Sequence, residues 1–365
     1  MAHENLTIEC IRTVAEFDQL RPEWDALHPK VPFLDWRWAR TWWEQIGSSY
    51  QLLLPVVRDK SGNVVLIAPW YLHPTRLRGK EIRFLGSGYI CSDYMSLLYQ
   101  DSEIFEDAVD LLGEWVSKNK GWDCLNLEGV PRRNYPIRAL LRRLQQRGYT
   151  VEEKPEESFW RISLPDSYDQ FLASCDKKIR QKLRKVERDC EVYSFDLCQS
   201  ADDLDQHLKS FEELHMWRSE AVRGDSGCFE HHNFQSFMSG VARAFFELDQ
   251  VWFGQLRIND VLAATSFALQ RDGVLYYYQT GSNVDLSALQ PGWLQNACLI
   301  RRAIDCGLSA IDLLRGDERY KSKLTAHRIP HTRFLVVNKN PESFIRFQLW
   351  NTLATVKQSL PLING

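Results

Sequence analysis

Apolar residues follow two different spacings along the chain, and the changes between them predict strands and helices. In the first half, short apolar runs predict strands at LTIECIRT (6–13), on both sides of the turn at 60–63, and at EIRFLGSG. Apolar residues three and four positions apart predict helices at 14–27, at 36–47 and at FEDAVDLLGEWVSK. The strand CLNLEG, the helix IRALLRRLQQRG and the strand ESFWRISL complete this half.

The second half repeats that order. A strand at 190–197 precedes two helices, a hairpin turns at Asn259-Asp260, and an aromatic strand occupies 273–281. A helix at 293–305, the strand AIDLLRG, a short helix DERYKSKL and the strand RFLVVN (333–338) follow. The halves share element order rather than letters, which indicates two copies of one unit. The predicted fold class is α/β (α+β), in which each copy has a mixed central sheet flanked by helices.

The predicted boundaries place one domain at 1–165, a basic connecting helix at 166–189, a second domain at 190–345 and a tail at 346–365. In the connecting helix, DKKIRQKLRKVERD, an apolar stripe is surrounded by seven basic residues. Three interpretations are open for this helix: a solvated helix packing one face on the domain, a contact for an anionic ligand or polymer, or a membrane-surface helix.

Composition argues against several classes of protein: nucleic-acid binders, zinc proteins, secreted proteins and membrane-spanning proteins. The chain has 365 residues, of which 44% are hydrophobic and 25% charged, with a net charge of −3, so no overall field favours nucleic acid. The nine cysteines are odd in number and form no CxxC pair, which indicates reduced thiols and no zinc site. No secretory signal and no apolar run of about 20 residues is visible, so we expect a cytoplasmic protein.

The stretch 291–323 carries the most organised chemistry. Its helix begins at Pro291-Gly292, beyond the end of the aromatic strand at Gly281. A helix start beyond a strand end is a natural anion site, because amides and dipole both present positive charge there. The alternative is an ordinary structural helix, since proline is favoured in the first turn.

Several segments resemble the CelD-type branch of the GNAT acetyltransferases, which is related to the FemABX peptidyltransferases. They are FLDWRWARTWWEQIG, FLGSGYICSDY, KIRQKLRKVERD and the run from Pro291 onward. The most specific is G-x-x-x-(I/F)-D-x-x-x-G-x-x-x-Y-K, here Gly307 to Lys321. The resemblance covers roughly residues 15 to 338. It implies tandem GNAT-like domains, with acetyl-CoA or another acyl-CoA bound in the second half.

In such domains two central strands splay apart, the acyl-CoA pantetheine pairs with the exposed edge, and the pyrophosphate lies on the next helix. Carried over to this chain, the splayed strand is Leu275–Thr280. The implied cofactor-binding residues are Tyr278, Gln279, Thr280, Pro291, Gly292, Trp293 and Lys321. The usual Q/R-x-x-G-x-G/A loop is reduced to Gln290–Trp293, with a single glycine. Fewer flexible amides can therefore surround a phosphate. For Lys321, an exposed lysine without a ligand is the simpler interpretation.

The family also implies a catalytic tyrosine that protonates the departing thiolate, and Tyr320 falls at that place. A phenol can supply a proton to sulfur if it lies within hydrogen-bond reach, whereas packing against Leu324 is the structural alternative. The candidate bases for an attacking amine are Asp312, Asp317 and Glu318, and the alternative is a structural ion pair between Arg315 and one of them.

Acceptor-binding candidates come from both halves. His215 and Trp217 match a family habit in the second half, although a lone histidine on a helix is more often structural. Asp93 and Tyr94 lie in the first half, which lacks a Pro-Gly helix start and has an acidic helix instead. We expect this half to shape the acceptor site rather than to bind a second CoA. The tryptophans at 36, 38, 42 and 43 could form a sugar platform, but core packing is the simpler interpretation.

Three functions remain in view. The first is acyl transfer from acyl-CoA to an amine or hydroxyl of a sugar, polysaccharide or peptide precursor, by direct attack on the thioester. The second is aminoacyl transfer from aminoacyl-tRNA, with the basic helix on the tRNA. The third is a binding module that has lost the cofactor. The sequence favours the first, and it leaves the acceptor, acyl length and oligomeric state open.

Overall fold

The computed structural model describes residues 5–190, 192–316, 318 and 320–359, apart from the side chains of 351 and 353–359. The chain forms two compact units. The first unit comprises Met1–Pro29, Phe33–Glu156 and His331–Gly365, and the second comprises Lys30–Pro32 and Glu157–Pro330. Asp317, one of the predicted bases, and the end of the predicted tail lie outside the described residues.

The described residues form strands and α-helices in both halves of the chain. The strands are β1 (Leu6–Ile11), β2 (Gln51–Asp59), β3 (Val64–Ile67), β4 (Trp70–Thr75), β5 (Gly79–Phe84), β6 (Leu98–Tyr99), β7 (Cys124–Pro131), β8 (Val151–Ser163), β9 (Tyr193–Leu197), β10 (Val251–Ile258), β11 (Val261–Arg271), β12 (Val274–Ser282), β13 (Ala310–Arg315) and β14 (His327–Val337). The helices are α1 (Val14–Gln19), α2 (Arg21–Ala26), α3 (Trp36–Gln45), α4 (Phe105–Lys118), α5 (Tyr135–Gln146), α6 (Tyr168–Ser174), α7 (Lys177–Asp189), α8 (Ala201–Arg223), α9 (His232–Phe246), α10 (Pro291–Asp305) and α11 (Pro341–Ser359).

The first unit is built on a mixed sheet in the order β6-β3-β2-β4-β5-β7-β14, with β1 also paired to β2. Its parallel pair, β5 with β7, holds together only at Glu81–Cys124 and Ile82–Leu125. Beyond that point the chain closes the gap itself: the Gly88 amide donates to the Glu128 carboxylate at 2.8 Å, and the Met95 amide donates to the Gly129 carbonyl at 2.9 Å.

The second unit repeats this plan in the order β8-β13-β12-β11-β10-β9, with β12 and β13 parallel. Each sheet takes its last strand from the other half of the chain, because β14 joins the first sheet and the end of β8 joins the second. The predicted repeat of one α/β unit with a mixed sheet is confirmed by this topology.

Two predicted helices are wrong in detail. The helix expected at 14–27 is two short helices, because Pro22 starts the second one and Leu20 caps the first. In the segment DERYKSKL, where a helix was expected, the described residues form a 3-10 turn over Lys321–Lys323.

The tryptophans of α3 belong to the core of the first unit. Trp38, Trp42 and Trp43 are buried, and the half-buried Trp36 donates its indole N–H to the Phe17 carbonyl at 3.1 Å. Their burial leaves no exposed aromatic platform on these side chains.

In the second unit, helices cover both faces of the sheet. The Thr280 hydroxyl is bonded to Gln295 on α10, whereas a Cβ on Gly281 would point at the α8 backbone. Since neighbouring strand residues face opposite sides, α8 and α10 lie on opposite faces. The α7 stripe Ile179–Leu183 packs with α10 in one core cluster.

Candidate active site

The second unit has an opening between its two parallel strands. Pairing of β12 with β13 runs only from Val274–Ala310 to Tyr276–Asp312. The rest of β12 keeps its other neighbour, β11, with a register shift between Phe267 and Ala268. A parallel edge that loses its partner exposes backbone amides and carbonyls to a ligand. The sequence predicts a splayed strand over Leu275–Thr280, and the pairing of β12 with β13 ends at Tyr276, inside that range.

Backbone N–H and C=O groups of successive β12 residues point alternately toward β11 and toward the opening. Asn283 donates its amide to the Ala263 carbonyl at 2.9 Å, so the polar backbone groups of Thr280 and Ser282 point away from β11. The Thr280 carbonyl on this edge is already bonded to His215 at 3.0 Å. A ligand that pairs with this edge would therefore bond to backbone groups that precede Thr280 in β12.

The start of α10 is short of phosphate donors. Gln290, in the left-handed conformation at φ 56°, caps the helix, and its carbonyl accepts from the amides of Trp293 and Leu294. Pro291 has no N–H, so Gly292 supplies the one amide of this first turn for which the described residues offer no acceptor. A Cβ on Gly292 would meet nothing within 4 Å, which shows open space beside it.

Cations lie beside this helix start. The Lys182 ammonium of α7 is 4.3 Å from the centre of the Trp293 ring. Burial, and then the positive charge of Lys323, lower the pKa of Lys182. The site thus gathers excess positive charge, as an anion-binding site requires.

Gln295, which no sequence motif singled out, forms a polar network beneath the opening. Its amide nitrogen lies 2.6 Å from the Tyr277 hydroxyl, 3.0 Å from the Thr280 hydroxyl and 3.2 Å from the Thr265 carbonyl. Its Oε1 is buried and has no hydrogen-bond partner among the described residues. A polar residue between the apolar positions of α10 was the only signal for it.

Tyr320 is half-buried against the core of the second unit. Burial, followed by the neighbouring Tyr277 and Glu318, raises its pKa well above the usual range. The phenol is therefore protonated at neutral pH and can act as a donor. Its carbonyl accepts from the Leu324 amide at 3.2 Å, so the packing neighbour that the sequence predicted lies next to it as well.

Asp312 is fully buried and both of its carboxylate oxygens are engaged. One accepts from the Arg161 guanidinium of β8 at 2.8 Å, and the other accepts from the Leu314 amide at 2.9 Å. Leu314 has φ 56°, a strained value for a branched residue, and the carboxylate holds it there. The structural partner of Asp312 is thus Arg161, whereas Arg315 lies 6.0 Å from the Phe159 ring centre.

Lys321 is buried, not exposed as the simpler interpretation expected. Its ammonium donates to the carbonyls of Leu314 and Arg315 and pairs with the Glu318 carboxylate at 2.8 Å. Lys321 therefore fixes the backbone at the end of β13 through these hydrogen bonds. Glu318 is 56% exposed, which makes it the accessible carboxylate beside Tyr320.

His215 lies on α8, which covers the face of the second sheet opposite to the one that α10 covers. Its Nδ1 bonds to the Thr280 carbonyl, and its Nε2 lies 3.3 Å from the Cys228 sulfur. Burial lowers the pKa of His215 to about 4, so the ring is neutral at physiological pH. Trp217, the neighbouring candidate, is 39% exposed.

Asp93 and Tyr94 belong to the first unit, in the loop between β5 and β6. Asp93 is buried, and Tyr94 has φ 58° with its ring edge-on to His331 at 5.3 Å. The α4 helix of this unit has Glu106 and Asp107 in its first turn, where they oppose a phosphate.

Known proteins agree with the fold of this site. The profile of the acetyltransferase (GNAT) domain matches residues 173–322. The second unit therefore contains a GNAT-fold acetyltransferase domain, which places it in the acyltransferase class. No curated protein sequence matches the chain.

Solved structures with the same overall fold share little sequence with it. A crystal structure of FemX is 12% identical, covers 93% of this chain and 100% of its own, and has a TM-score of 0.64. The C-terminal domain of a protein described as a lysylphosphatidylglycerol synthetase, from Agrobacterium fabrum, is 12% identical, with coverages of 93% and 97% and a TM-score of 0.53. A Bacteroides thetaiotaomicron protein of unknown function is 11% identical, with coverages of 91% and 99% and a TM-score of 0.52.

Within the described residues, no helix is long and apolar enough to span a bilayer, and no cluster of three metal-ligating side chains is found.

Proposed function

We propose that the protein transfers an acyl group to an amine or hydroxyl, using the opening between β12 and β13 to hold the donor. The observation that carries the proposal is the exposed β12 edge with a protonated Tyr320 and an accessible Glu318 beside β13. Holding donor and acceptor together supplies much of the rate in such transfers.

The donor that fits best is acetyl-CoA or another acyl-CoA. The β12 edge would take the extended part of the donor. The Gly292 amide, the open space around it and the Lys182 and Lys323 ammonium groups would take the phosphates. The cations offset the shortage of amides in the one-glycine loop.

The residues then divide the chemistry among them. The acceptor attacks the donor carbonyl directly, Glu318 takes the acceptor proton, and Tyr320 gives its proton to the departing sulfur. Asp312 supports the site by fixing Arg161 and the Leu314 backbone, and does not serve as the base. The CelD-type resemblance makes a sugar, polysaccharide or peptide precursor the proposed acceptor, with Asp93 and Tyr94 as its candidate contacts.

A second candidate, aminoacyl transfer from aminoacyl-tRNA, draws support from α7. This helix buries Ile179, Leu183 and Val186 and leaves most of its cations exposed, next to the start of α10. FemX-type proteins share the fold, and the basic face suits a phosphate backbone.

Donor binding separates these functions. Calorimetric titration with acetyl-CoA and longer acyl-CoAs should show saturable binding, weakened about tenfold or more in Gly292→Asp, because a carboxylate there repels phosphate. Helix starts tolerate Asp, so that variant should stay folded. Gly292→Ala is the matched neutral control. No binding at millimolar acyl-CoA would refute the CoA proposal, and binding of aminoacyl-tRNA instead would establish the second candidate.

A further inference from the structure

Cys228 and His215 form a thiol–imidazole pair with a third group behind it. The Thr280 carbonyl can only accept, so His215 Nδ1 must carry the ring proton toward it. Nε2 is then an acceptor, and the thiol 3.3 Å away is its donor. A nucleophile, a base and a group that orients the base are the parts of an activated nucleophile.

Two glycines allow this pair to form. A Cβ on Gly227 would lie 3.0 Å from His215 Nε2 and 2.6 Å from the Arg223 guanidinium, and this residue has φ +65°. A Cβ on Gly281 would lie 2.7 Å from the His215 amide. Gly227 thus leaves room for its turn beside the imidazole, and Gly281 lets β12 approach the α8 backbone that carries His215.

The turn before Cys228 is also fixed. Asp225 accepts from the Gly227 amide and from the Ser219 hydroxyl, both at 2.9 Å, and the Arg223 guanidinium donates to the Ser219 hydroxyl at 2.7 Å. The thiol is half-buried, so a small donor can reach it, while its histidine is 7% exposed.

The pair also lies at the opening. The carbonyl that orients His215 is on the part of β12 that faces the gap left by β13, so one imidazole ring separates this edge from the thiol. The neutral imidazole can accept a proton there as the sulfur attacks.

We propose that Cys228 is an acyl-accepting thiol, which a donor thioester acylates when no acceptor is bound. His215 Nε2 takes the thiol proton while the Cys228 sulfur attacks the donor carbonyl carbon. The new S–C bond forms, the donor S–C bond breaks, and the departing thiolate receives the proton from His215. One thioester is exchanged for another, so no oxidant or further reactant is needed. The acetyl-CoA form of this step rests on the proposed function.

The test uses the full-length protein and two donors, without acceptor. Acetyl-CoA requires the proposed phosphate site, whereas p-nitrophenyl acetate does not. Intact-protein and peptide mass spectrometry should find one acetyl group on Cys228, absent in Cys228→Ser and unchanged in Cys306→Ser. In His215→Gln the acylation rate should fall at least about tenfold, and circular dichroism would confirm that this variant is folded.

The two donors test the reactive thiol and the acyl-CoA assignment separately. Acetylation of Cys228 by both donors supports the proposal and the acyl-CoA assignment together. Acetylation by p-nitrophenyl acetate alone supports the activated thiol and counts against acyl-CoA as donor. The proposal is overturned if neither donor modifies Cys228, if the other cysteines react as fast, or if folded His215→Gln reacts like the wild type.

Discussion

Gly281 is the position where β12 passes closest to α8, and Gly281→Ala is the sharpest test of that packing. The added Cβ would lie 2.7 Å from the His215 amide nitrogen and 2.9 Å from the Leu214 carbonyl carbon. Ordinary contacts begin at 3.4 Å, so the two backbones must separate by about 0.7 Å. Backbone atoms cannot swing aside as a side chain does. We therefore expect the cost of an overpacked core, about 1–3 kcal/mol.

Thermal and urea unfolding followed by circular dichroism would measure this cost. For a unit of this size the loss corresponds to a melting temperature lower by about 2–12 °C. The matched control is Gly292→Ala, where the Cβ meets nothing within 4 Å and stability should be kept or slightly improved. If Gly281→Ala is as stable as this control, β12 and α8 are not packed as described, and the orientation of His215 loses its explanation.

Three further predictions concern the ionisable groups. Tyr320→Phe should lower kcat about a hundredfold with KM nearly unchanged, because the variant loses only a proton donor. A steady-state assay with the donor identified by calorimetry would measure this, and an unchanged kcat would exclude the acid role. Arg161→Ala leaves the Asp312 carboxylate buried without its cation, and urea unfolding should show a loss of about 3–5 kcal/mol; a loss below 1 kcal/mol would mean that the pair does not hold β8 to β13. The pKa of His215 is about 4 when folded, against about 6.5 when unfolded, so the unfolded chain binds the extra proton and stability falls as pH drops from 6.5 toward 4. Between pH 7 and 5 the wild type should lose about 2 kcal/mol more than His215→Gln, and equal losses would contradict the burial of a neutral ring.

Local pattern was enough to predict most elements. The α4 helix follows its apolar spacing from Phe105 to Lys118, and α10 begins at Pro291 as the first-turn preference of proline predicts. The β12 strand covers the aromatic run that was expected to splay. These features depend on neighbours in sequence, so the sequence shows them directly.

The site depends on contacts that local pattern does not contain. Arg161 and Asp312 are 151 positions apart, and they meet only because β8 pairs with β13 in one particular register. Gln295 was hidden because a single polar residue on an amphipathic helix normally faces solvent. Cys228 had no motif around it, and its link to His215 follows from the turn at Gly227 and from the close approach of β12 to α8 at Gly281.

Because β8 and β14 each complete the sheet of the other half of the chain, neither half can complete its sheet without the other. The second sheet needs the end of β8, and the first sheet needs β14, which begins at His327, 164 positions after β8 ends at Ser163. The first sheet therefore stays incomplete on the ribosome until nearly the whole chain has emerged, with β7 carrying an unpaired edge meanwhile. Cutting the chain between Ser163 and Tyr193 would separate each sheet from a strand it uses, so the halves are a poor choice for separate expression.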